Sequence, residues 1–76
     1  MTWEELTEKA KELGWECIKE RGVEQLYKDF IGCRINFIET SCNVVIDIPF
    51  HEITYSRLIC EHISVDQMYQ IMLALR

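Results

Sequence analysis

The chain has little proline, little glycine and few cations. One proline, Pro49, and three glycines, at 14, 22 and 32, leave no low-complexity linker and no phosphate-binding loop spacing. No apolar run approaches the roughly 20 residues that a membrane helix needs, and the N-terminus has no signal-peptide pattern. Both absences predict a cytoplasmic protein. Eight Lys and Arg stand against thirteen Asp and Glu, for a formal net charge of −5. That field repels a phosphate backbone, so the expected partner is another protein rather than nucleic acid or membrane. Close cysteine pairs are also missing. Cys17, Cys33, Cys42 and Cys60 are widely spaced, and with no export signal they read as reduced, mostly buried thiols.

What the chain does have is apolar patterning. Hydrophobic residues make up 49% of its 76 residues, enough for one domain over 1–76. A chain this short buries only about 60% of its unfolded surface, so an oligomer interface would be a natural supplement. In CRINFIETSCNVVIDIPF (33–50), Cys33, Ile35 and Phe37 alternate with Arg34 and Asn36. After a polar break at Thr40–Asn43, Val44, Ile46, Ile48 and Phe50 repeat at every second position. A period of two gives two strands with one apolar row each, and the break gives a hairpin loop. Two strands are unstable alone, so other elements must cover that face.

Both ends of the chain supply helices. Thr2 and Glu5 form a capping-box pattern, with Met1 and Leu6 as a hydrophobic staple. Trp3, Leu6, Ala10 and Leu13 make one stripe, and Gly14 ends the helix. Near the C-terminus, Ser64 and Gln67 repeat the capping box, Asp66 suits the positive helix end, and Val65, Met68, Met72 and Leu75 form the stripe. Tyr69, Ile71, Leu73 and Ala74 are apolar too, so this helix must be covered on more than one side.

The middle is less regular. Trp15 and Cys17 alternate with Glu16, Ile18 and Glu20, as on a strand, before a turn at Gly22. Val23–Ile31 fits either period; we favour a strand, because sequential strands pair readily. Beyond Pro49, Glu52–Cys60 reads as an irregular strand or an extended excursion. The expected fold is α+β, with an antiparallel meander of three to five strands and both helices on one face.

Candidate chemistry is sparse. Cys60 and His62 would share one side of a strand, but Glu61 would face away, and His51 with Glu52 has the same defect. Cys42 and His51 could complete a metal set with Cys60 and His62 only through tertiary folding. Neither pattern carries a motif, so catalysis, a metal site and a cofactor are not expected. Tyr27, Tyr55 and Tyr69 are candidates for a binding face or for the rim of the core.

The end-to-end layout, with TWEELTEKAKELG at the start and SVDQMYQIMLALR at the end, resembles small uncharacterised proteins of phages and prophages. The resemblance implies a non-enzymatic inhibitor of a host defence component, in the manner of anti-CRISPR proteins. Glu16, Glu20, Glu24 and Asp29 would then compete for a basic nucleic-acid groove on a host protein. The alternative is a structural or regulatory homodimer joined through Tyr69, Ile71 and Leu73 of the last helix.

Overall fold

The two alternating rows become neighbouring strands, as their period requires. In the computed structural model, which describes residues 1–76, β3 (Cys33–Ile38) pairs antiparallel with β4 (Asn43–Phe50), setting Phe37 opposite Val44. β1 (Glu16–Glu20) and β2 (Val23–Phe30) precede them, and β5 (Ile53–Cys60) follows. The five strands form one antiparallel sheet in chain order. Helices α1 (Trp3–Glu12) and α2 (Val65–Ala74) stand at the two ends of the chain, completing an α+β fold. No helix is long and apolar enough to cross a membrane.

The ambiguous segment 23–31 is a strand over Val23–Phe30 because hairpin turns bracket it. Arg21 and Gly22 both take positive φ, 51° and 81°, as a two-residue turn matched to the sheet twist demands. On the other side Gly32 takes φ 83°. The segment after Pro49 is more regular than its sequence suggests. β5 pairs with β4 from Phe50↔Ile53 to Val44↔Cys60, with one register shift between Val44 and Val45. Pairing of β4 with β3 ends at Arg34↔Asp47, so Pro49 lies past the last β3 partner.

Cross-strand register lines up Cys17, Leu26, Phe37, Val44 and Cys60 in a single row. Leu26, Phe37 and Val44 are buried in one cluster with Trp3, Leu6 and Ala10 of α1, Trp15, and Met68 and Met72 of α2. The Trp15 ring centroid lies 5.0 Å from that of Phe37 and 6.2 Å from that of Phe30. Phe37 is near the end of β3, Val44 near the start of β4 and Cys60 at the end of β5. The core therefore gathers at the β3–β4 turn end of the sheet.

Local signals at the helix ends hold unequally. Ser64 and Gln67 form the full capping box: the Gln67 amide donates to Ser64 Oγ at 3.1 Å, and the Ser64 amide donates to Gln67 Oε1 at 2.8 Å. At α1 the Glu5 amide donates to Thr2 Oγ1 at 3.1 Å, but the Glu5 carboxylate takes the Thr2 hydroxyl at 3.3 Å and leaves the Thr2 amide. The N-terminal ammonium pairs with Asp66 at 3.3 Å, linking the chain start to the first turn of α2.

The cysteines are a correction. All four are free, but each is half-buried and none is buried. Their positions explain this: Cys17 and Cys60 belong to the two edge strands, and Cys33 and Cys42 adjoin turns. The apolar surplus of α2 is largely absorbed within the chain. Tyr69, Ile71 and Leu75 pack against the core, and the Lys9 ammonium sits 5.5 Å from the Tyr69 ring centroid.

Candidate interaction surface

The same register that builds the core also leaves part of its face bare. Ile46, Ile48 and Phe50 continue the Val44 row along β4, opposite Arg57, Tyr55 and Ile53 of β5. The core ends near Val44, and the row runs on without cover. Exposure reaches 43% at Ile48, 59% at Phe50, 58% at Ile53 and 56% at Tyr55. Seven of the eight β5 residues are exposed, from Ile53 through Ile59. Large apolar side chains in that state, contiguous on one ribbon, mark a contact surface more than a folding element. Ile48, Phe50, Tyr55, Ser56 and Arg57 line a shallow open depression of about 420 Å³ there.

The opposite face of the sheet carries an internally paired polar network beside apolar residues such as Val45 and Leu58. Arg34 donates to both Asp29 carboxylate oxygens, at 2.6 and 3.1 Å, while its guanidinium lies 4.2 Å from the Tyr27 ring centroid. The Tyr27 hydroxyl donates to Glu16 at 3.3 Å. Asn36, the one buried polar residue, donates to Asp47 Oδ2 at 2.8 Å, and the Ser56 hydroxyl donates to Asp47 Oδ1 at 2.6 Å. This network stitches the five strands together and spends the hydrogen-bonding capacity of its members on one another.

The paired charges shift titration in a definite direction. Arg34, by hydrogen bonding, holds the Asp29 carboxyl below its ordinary value, and Asp29 raises Arg34 in return. The fold thus favours ionised Asp29, and its contribution to stability is present above the unfolded-state pKa and lost as pH falls through the folded one. Arg34→Ala is expected to return the Asp29 carboxyl toward the ordinary range in an NMR titration. An unmoved Asp29 would show that Arg34 is not the cause. Burial, reinforced by a 3.6 Å contact with Glu24, pushes the Cys17 thiol up and keeps it protonated at neutral pH.

The sequence-derived candidates do not form one patch. Glu16 and Glu20 share the polar face with Asp29, but Glu24 pairs with Lys19 on the core face. Asp29 is already held by Arg34. Tyr69, Ile71 and Leu73 are all half-buried, two of them packed on the core. Tyr27 stacks with Arg34, whereas Tyr55 is exposed on the bare ribbon. His51 lies in the turn before β5 and His62 beyond its end, about 26 Å of strand apart at a rise of ~3.3 Å per residue. No three His, Cys, Asp or Glu side chains gather into a metal-binding group.

Of this surface the sequence singles out only Tyr55; Ile48, Phe50 and Ile53 come from the structure. The signal for them was the length of the Val44–Phe50 row, on a strand of about 27 Å that outruns the roughly 15 Å of either ten-residue helix. No protein-family model, curated protein or solved structure matches the chain. The phage-type resemblance rests on sequence pattern alone.

Proposed function

We propose that this protein is a non-enzymatic interaction module that binds another protein chain through the β4–β5 ribbon. The observation that carries the reading is the uncovered row Ile48, Phe50, Ile53 and Tyr55, four large apolar side chains exposed side by side on one face of the β4–β5 ribbon. Removing such side chains from water is the main favourable term in protein association. The test is capture of the partner by the wild-type chain and by a Phe50→Ser, Ile53→Ser variant. The variant is expected to lose the partner while staying folded; undiminished capture would contradict the reading.

A finer form makes the module a phage-type inhibitor that occupies a basic nucleic-acid groove. The exposed carboxylates of Glu16 and Glu20 on the free β1 edge support it. Its binding would weaken with added salt and with charge removal at those two positions; binding indifferent to both would end it.

A further inference from the structure

The two edges of the sheet are built differently. β1 carries Glu16, Lys19 and Glu20 among its five residues, the charged guard that keeps a sheet edge from pairing with other chains. β5 carries one charge, Arg57, among eight residues, and its backbone hydrogen-bonds to no strand but β4. Arg57 makes no ion pair within the chain. An exposed edge of this length with a single charge and no carboxylate is a template for strand addition.

We infer that the partner at the ribbon is a second copy of this chain, joined by antiparallel β5–β5 pairing about a two-fold axis at Ser56. This rests on the interaction-module reading and names its occupant. A two-fold axis perpendicular to a continuous sheet sets residues of equal parity opposite each other. With the axis at Ser56, Tyr55 meets Arg57 of the second copy, twice over, and Thr54 meets Leu58. Each Arg57 gains the aromatic face that it lacks within the chain. Moving the axis to Arg57 would instead oppose two guanidinium groups, which is unfavourable.

Net charge favours the same edge. Two chains of charge −5 repel, yet the ribbon face presents Ile46, Ile48, Phe50, Ile53, Tyr55 and Arg57, with no carboxylate among them. Antiparallel pairing also sets the bare end of one ribbon beside the helix-covered end of the other. Ile53 then lies opposite Ile59 of the second copy, and the two ribbons join in one continuous sheet whose Ile48 and Phe50 face stays open.

Sedimentation velocity on the full chain, from micromolar to millimolar concentration, tests the inference. The wild type is expected to reach twice the 9.1 kDa chain mass. Ser56→Lys keeps a favourable neighbour in Asp47 within the chain but opposes two lysines at the axis. It should weaken the dimer about tenfold, with circular dichroism and thermal unfolding retained. Ser56→Lys mixed with Ser56→Glu should restore association as a heterodimer. A wild type that stays at 9.1 kDa throughout overturns the second copy as occupant, while the module reading then stands or falls on capture by the Phe50, Ile53 variant. A dimer that Ser56→Lys leaves intact places the interface away from β5 and overturns the inference as well.

Discussion

Phe37→Ala is expected to remove about 3–5 kcal/mol of folding stability, a large share of what the chain has. Phe37 is fully buried, pairs with both Leu26 and Val44, and packs its ring 5.0 Å from that of Trp15. Truncating a buried phenylalanine costs about 3–5 kcal/mol, combining lost transfer energy with the cavity left behind. At about 0.05–0.15 kcal/mol per residue, a chain of 76 residues holds roughly 4–11 kcal/mol in total. The cavity cannot close, because both neighbouring strands are fixed by register. Urea unfolding followed by tryptophan fluorescence checks this. A loss below about 1.5 kcal/mol would mean that the Leu26–Phe37–Val44 row is not the centre of the core.

The Phe50→Ser, Ile53→Ser variant should behave in the opposite way, losing binding and keeping the fold. The two residues face each other across the last β4–β5 pair, and both are more than half exposed already. The folded chain has little burial to lose there, only a cross-strand pair worth about 0.2–1 kcal/mol. A partner covering the ribbon would bury both side chains, and truncating an interface anchor typically costs 2 kcal/mol or more, about thirtyfold or more in affinity. Paired measurements of urea stability and partner affinity separate the two effects. If stability fell as far as it does for Phe37→Ala, the ribbon would belong to the core and not to an interface.

Most of the fold follows from periodicity. Trp3, Leu6 and Ala10 at helical spacing and Phe37 and Val44 at strand spacing end up in one cluster. β5 was hard to read for a physical reason. An edge strand with little cover on either face has no need to alternate, and the register shift near Val44 resets the phase at Ile59. The site was hidden by the opposite problem. The row Val44, Ile46, Ile48, Phe50 alternates so cleanly that it reads as core along its full length. At 1.5 Å per residue each ten-residue helix spans about 15 Å, whereas the eight residues of β4 run about 27 Å. With the buried cluster gathered at the Val44 end, the Ile48–Phe50 end of the row remains open. Glu24 stands apart from Glu16 and Glu20 because the two-residue turn at Arg21–Gly22 sets Glu20 opposite Val23, which sends Glu24 to the face of Lys19.

The measurement that tests the account most directly is site-specific photo-crosslinking, with the reactive group placed at position 50 and, for comparison, at exposed Gln67 on α2. The account predicts a discrete crosslinked protein from position 50, identified by mass spectrometry, and none from position 67. Equal labelling from the two positions, or none from position 50, would contradict the claim that the β4–β5 ribbon is where this protein meets its partner.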